Sequence, residues 1–588
     1  MKPWLLGLLL AGLTLGAYAQ VRNHQYLNYD DDLYVVENPV VQEGLSLESL
    51  RWAATTKHDG LRIPLTWASY LVDAELWELA PGAVLLTNVF YHTLSGLLLF
   101  WALVAATGAR YKSAFVAAVF LLHPIHVESV AWASERKDVL CGLFWNGTLA
   151  AYVRYAKRPS AIGYGLVLLG HGLALAAKPM AVTLPAVLLL VDAWPLSRLG
   201  ETGFAWPRVR RALLEKLPLA ALSALAMFVT YATQQADGTM RDLQTIPLLD
   251  RIGNACLSYV GYVDNALWPS ALSVFYPYRE ELGLAAGLAG IALVAVTLAT
   301  LRLRVRAPYL AVGWLWFVGS LIPVIGFVQV GQQAMANRYA YLPVVGLSLA
   351  LAWGADAVAQ RFDARRLLAV AAALATLVMT WLSFQEVAHW KNGVTLFRHA
   401  LVSDPENGTA RANLGIAQLL AGEVDAGVAE LARAFGIEAR GAGARAAVRD
   451  LLLGHAKSAE RERKHWFAIA LLRPAVVVAP NSIPVHGELG RALFQQRRYQ
   501  QAIEHFERAR YSDDKLADLH GRAAEALEAR GRIGQAVAHY KSAVERAERA
   551  IAKHSAHGTN AQARALRMQR REWASRMQAL EPERGGAG

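Results

Sequence analysis

The chain has 588 residues, 55% of them hydrophobic and only 18% charged, where a soluble domain carries about 25% charge. That deficit, with long apolar runs, excludes an ordinary soluble globule and points to a membrane protein. The formal charge of +12 would suit nucleic acid or anionic lipid, but much of it sits in short loops between apolar runs, which argues against nucleic acid. Polar residues concentrate after residue 385, where Arg, Glu, Ala and Gln dominate, so the protein has two parts. Cys141 and Cys256 are too few for a disulfide framework and lie in apolar surroundings, as buried bystanders do.

In chain order, eleven apolar segments predict membrane spans: 4–20, 84–107, 113–131, 139–156, 161–177, 180–194, 213–232, 283–301, 308–328, 341–358 and 367–383. The first reads as an anchor; AYAQ at 17–20 keeps a cleaved signal peptide open. With the N-terminus inside, the loops at 108–112, 154–158, 195–212, 302–306 and 361–366 are short and basic, and the long loops 21–83 and 233–282 are of mixed sign. The positive-inside rule selects this orientation. It places the acidic stretch NYDDDLYVVENP (28–39), with Asp30, Asp31 and Asp32, outside the membrane, together with everything after residue 384.

Other polar residues gather at the outer ends of the spans: RIPLTW (62–67), LTN (86–88) with His92, HPIHVESVAWASERKD (123–138), AKPM (177–180), 251–278 and QVGQQAMANRYAYLP (329–343). Ionisable groups next to a bilayer are costly and usually functional. His123, His126 and Glu128 lack any zinc-type spacing, and Pro124 distorts a helix there, so capping roles compete with binding roles. The acidic run could take a divalent cation through hard oxygen ligands or be a solvated turn. Outward carboxylates can act as general base towards a hydroxyl, and nearby cations can hold a phosphate that departs with its lipid.

From 393 onward a small–large–small pattern recurs: Gly393/Phe397/Ala400, Gly427/Leu431/Ala434, then after a seven-residue insertion Ala468/Leu472/Ala475, Ala502/Phe506/Ala509 and Ala536/Tyr540/Ala543. The 34-residue period is that of tetratricopeptide helix pairs, whose stacking builds a concave surface for peptides or proteins. The stretch 555–588 reads as a trailing helix and a loose end.

NYDDDLYVVENPVV, PLTW, HPIHVESVAWASERKDVL, AKPMAVTLPAVLLLVDAWPL, NRYAYLP and the repeats together resemble the transmembrane and tetratricopeptide repeat-containing family, polytopic GT-C type glycosyltransferases whose animal members are protein O-mannosyltransferases. The likeness runs from about residue 20 to 550. It implies an all-α GT-C membrane domain, a polyprenyl- or dolichyl-phosphate sugar donor and an outward-facing site in the first loop. Asp30 and Asp31 map onto the family's acidic pair as candidate catalytic bases. Glu128, Arg136, Lys137 and Asp138 fall in its donor-phosphate stretch; His123, His126, Lys178 and Arg338 join them as candidate donor or substrate contacts. Three motifs depart from the pattern: Arg62 and Ile63 precede PLTW where the family has Trp-His, Val84 and Leu85 replace two histidines, and Asn337 replaces an aspartate. The surviving aspartates and ERKD favour a changed substrate over lost activity.

The resulting expectation is a GT-C-like membrane domain over 1–384, a repeat array over 385–555 and a polar tail over 556–588. It would transfer mannose or another hexose to a hydroxyl of a protein or other acceptor, by inversion, at the outer face of a bacterial inner membrane. No resident metal is assigned, beyond a possible divalent cation at Asp30–Asp32. The alternative is a catalytically reduced membrane scaffold recruiting periplasmic proteins. A transporter would need mid-membrane charges and inverted repeats, and the sequence shows neither.

Overall fold

The computed structural model describes residues 1–57, 61–200, 205–236, 247–278, 282–327, 333–439, 441–557 and 559–580. About 80% of it is helical, with almost no strand. Positions 329–332 of the QVGQQ stretch and 581–588 of the tail lie outside the described residues. The trailing helix is present, as Asn560–Leu580.

Among the described residues, five helices are long and apolar enough to span a bilayer: Pro3–Asn23, Pro81–Thr107, Trp206–Gln235, Gly283–Arg302 and Arg365–His389. A sixth exists if Arg110–Leu122 and Pro124–Val130, bent by 50° at the break, count as one. The chain is thus a multi-pass membrane protein, but the described residues hold five or six such spans and not the expected eleven. Predicted 113–131 is that bent pair, broken at Pro124, which lacks the N–H a helix interior needs. Predicted 139–156 is the helix Arg136–Lys157, which opens on buried Arg136, Lys137 and Asp138. Predicted 180–194 shrinks to Leu184–Ala193 behind a 3₁₀ turn, and predicted 308–328 ends at Leu321 after 14 residues. At about 1.5 Å per residue, such helices fall well short of a ~30 Å hydrocarbon layer.

The chain divides into two compact units, Met1–Val36 with Val40–Ala410, and Glu37–Pro39 with Arg411–Gly588. The boundary thus lies at 410/411, not 384/385. The first repeat-like helix, Gly393–Ser403, goes with the membrane unit because Leu396, Phe397 and Ala400 are buried there, Phe397 edge-on to Tyr29 at 5.8 Å. A two-stranded antiparallel ribbon pairs Tyr276 with Met335 and Pro277 with Gln333, just ahead of Asn337–Arg338.

In the second unit, helices Val424–Ala434, His465–Val478, Tyr499–Arg508 and Ile533–Ala556 carry the small–large–small residues. They alternate with Ala442–Arg461, Ile483–Gln495 and Asp513–Glu528. Small residues recur where neighbouring helices cross: Gly490 lies so near Phe506 that a Cβ there would approach it to 2.8 Å. Glu37 is also part of this unit, its carboxylate buried between Arg473 (2.7 Å) and Arg498.

Candidate active site

The first-loop acids and the ASERKD segment meet. Asp31 is 1% exposed; its Oδ1 accepts from the Ser134 N–H (2.9 Å) and Oγ (2.5 Å), and its Oδ2 from the Leu27 N–H (3.0 Å). Burial pushes its carboxyl up to about 7 against these three donors, with Asp32 adding to the rise. Trp132 reinforces the junction: its indole N–H donates to the Tyr29 carbonyl at 3.0 Å and its ring stacks on Tyr29 at 5.2 Å. Asp30 is half-buried and has φ of 63°, a left-handed conformation that costs energy outside glycine. Its carbonyl accepts from the Leu33 and Tyr34 N–H groups, which closes the tight turn after it.

A charged cluster lies next to this loop, centred on Glu135, which is 2% exposed. Its carboxylate meets Lys137 at 3.0 Å, Lys178 at 3.3 Å and Arg338 at 3.3 Å. Burial alone would raise Glu135, but these three cations hold it well below the usual carboxylate range. Lys178 also pairs with Asp138 at 2.5 Å, and Arg338 with Glu128 at 2.6 Å. Lys137 lies 4.7 Å from the Tyr34 ring centroid and donates to the Ser134 carbonyl at 2.8 Å, so the lysine touches the acidic loop itself.

Five sequence candidates therefore assemble around Glu135 and the loop: Lys137, Asp138, Lys178, Arg338 and Glu128. Three others are engaged away from this cluster. Arg136 is fully buried and turned away, donating to Asp73 (2.6 Å), the Val84 carbonyl (2.7 Å), Asn88 and Ser69 (3.4 Å). With those donors committed, it braces the segment and does not face a ligand. His123 caps the following turn by accepting the Ile125 N–H and bonds the Ala266 carbonyl; His126 is wholly buried and bonds the Phe120 carbonyl at 2.7 Å. Both imidazoles close the bend at Pro124. Sequence reasoning missed Glu135 as a hub, though it stands in the ERKD run, and passed over Tyr29 and Tyr34 inside the acidic motif; Asp73 carried no motif signal.

Of the three departures from the family pattern, the one at Asn337 has a local explanation. Asn337 sits in a neutral network, its Oδ1 accepting from Asn265 (2.9 Å) and Tyr276 (3.2 Å) and its amide donating to the Ser273 carbonyl. An aspartate there would lack the counter-charge this network does not supply. Val84 contributes its backbone carbonyl to Arg136.

Comparison with known proteins finds similarity, over part of the chain, to proteins named protein O-mannosyl-transferases. Specifically, 212 residues (32% of this chain) are 28% identical to Protein O-mannosyl-transferase TMTC1 of Homo sapiens, and 162 residues (25%) are 30% identical to the protein of that name in Mus musculus. The matches span 24% and 16% of those relatives' own lengths. No family model matches. An overlay on the crystal structure of the APC/C hetero-tetramer Cut9-Hcn1 covers 93% of this chain and 96% of that one at 14% identity, with a TM-score of 0.15, too low to bear on the fold.

Proposed function

We propose that this protein is an integral-membrane glycosyltransferase moving a hexose, mannose or another, from a polyprenyl-phosphate donor to a hydroxyl on a protein or peptide. Transfer would take place at the outer membrane face, with the repeat array holding the acceptor or a partner. The observation that carries the reading is the bonding of Asp31 to Ser134, which sets the acidic loop against Lys137 and the Glu135 cluster. Partial similarity to O-mannosyl-transferases supports the same class.

In this reading Asp30, half-buried where Asp31 is 1% exposed, takes the acceptor proton, and Asp31 fixes the loop through Ser134 and Leu27. The acceptor oxygen attacks the anomeric carbon as the bond to the donor phosphate breaks, inverting that carbon. The phosphate leaves with its lipid and the charge it gains, held by Lys137, Lys178 and Arg338. Asp30→Asn keeps the side-chain size and removes the base, so transfer from polyprenyl-phosphate sugars in membranes should fall about 10²–10⁴-fold. Wild-type rates in that variant would overturn the assignment.

A non-catalytic scaffold has one observation in its favour: Lys137, Lys178 and Arg338 are each paired with a carboxylate of this chain. Absence of transfer across a panel of labelled donor sugars, with intact partner capture by the full-length protein, would select it.

A further inference from the structure

Where the apolar helix Arg365–His389 meets the next helix, Gly393–Ser403, Glu386, His389 and His399 bring one ligand atom each to within 4.8 Å of one another. We propose that they form a binding site for a divalent transition metal of the zinc class, separate from the sugar-transfer site. Two imidazoles and one carboxylate are a ligand set zinc uses, with a fourth position left for water.

Several features prepare the side chains for that role. Glu386 and His389, at i and i+3, share one face at the end of Arg365–His389. Asn392 and Thr395 form a reciprocal capping box at the start of Gly393–Ser403, fixing the turn that returns His399 over His389. The two rings stack at 3.7 Å, 7° from parallel; two imidazolium ions could not lie so, and neutral rings offer lone pairs. His399 is hydrogen-bonded through its ring to the Leu272 backbone, while its Nε2 is buried without a hydrogen-bond partner, 3.8 Å from Glu386 Oε2. One nitrogen tied to a carbonyl and the other aimed at the ligand set is how metal-binding histidines are oriented. The Trp390 indole N–H donates to Glu386 Oε1 at 3.2 Å, an outer partner for the carboxylate. On loading, the stacked rings would turn to converge on one ion.

The ion would be structural. The Lys391 carbonyl accepts from the Gln25 N–H at 2.9 Å, Trp390 packs on Trp132 at 5.9 Å and Phe397 on Tyr29, so the clamped turn lies under the loop that carries Asp30 and Asp31.

The test is metal content of the full-length protein in detergent, stripped with chelator, reloaded with Zn²⁺ or Co²⁺ and dialysed. Wild type should retain about one equivalent and give the visible bands of tetrahedral Co²⁺; His399→Ala and Glu386→Gln should each weaken retention at least about tenfold, and His520→Ala should not. Retention no greater than that of His399→Ala, or unchanged in both variants, would overturn the site. If His399→Ala does not fold, Glu386→Gln, which keeps an acceptor for Trp390, decides.

Discussion

Arg136 and Lys137 are neighbours in sequence with opposite fates. The guanidinium of Arg136 is enclosed by Asp73 (2.6 Å) and by the rings of Tyr70 and Tyr91. Arg136→Ala would leave Asp73 buried without its counter-charge, with Thr87 as a remaining hydrogen-bond partner, and should cost about 3–5 kcal/mol, read as a lowered unfolding temperature in detergent. Lys137→Ala should cost less, because Lys178 and Arg338 still face Glu135, and should lower sugar transfer. Asp31 gives a pH signature of definite sign. Its folded-state pKa of about 7 lies above the ordinary ~3.9, so the folded form keeps a proton that the unfolded chain releases. Its contribution is most favourable below about 4 and is lost as pH rises through 7. The stability difference between wild type and Asp31→Asn should therefore move in favour of the variant across that range, in parallel melts. ERKD was legible as an important string, but which member faces the ligand was not. That depends on helix phase and on partners such as Asp73, 63 positions away, which no local pattern announces.

At the level of helices, the repeats were the most legible feature, because close helix approach demands a small residue at a fixed place in every unit. The spans were the least legible. Hydropathy responds to apolar content, which a helix buried in protein shares with one buried in lipid, and it did not register the break at Pro124. Helices Pro308–Leu321 and Val344–Arg361 meet at glycines: a Cβ on Gly313 would lie 2.4 Å from the Gly346 carbonyl oxygen. Backbone cannot yield as a side chain does, so Gly313→Ala should cost about 1–3 kcal/mol, again read by thermal unfolding. In the array, His486 bonds His505 (Nδ1–Nδ1 2.8 Å) and His520 bonds His539 (3.0 Å), one repeat apart. Burial, then the partner imidazole, pushes His505 and His520 down to about 4, below the ~6.5 of an unfolded chain. Unfolded chains take up the protons first, so this stability is complete above pH 6.5 and is lost as pH falls towards 4. Limited proteolysis between pH 7.5 and 4.5 should show the array opening on the acid side, and His520→Gln with His539→Gln should blunt the change.

For the molecule as a whole, the expected orientation puts the array on the same side as the acidic loop. In a background of Cys141→Ala and Cys256→Ala, Gln501→Cys should react with a membrane-impermeant maleimide on intact cells; labelling only after permeabilisation would reverse the orientation and remove the outer-face reading. The pairing around Glu135 bears on how fast such an enzyme could cycle. A carboxylate that holds three cations in place keeps them aligned before, during and after the chemical step, so the lipid phosphate left behind is gripped as firmly as the one that arrived. Departure of the spent carrier would then set the pace: a rapid first round followed by slow steady turnover, quickened by added salt and throttled by free polyprenyl phosphate.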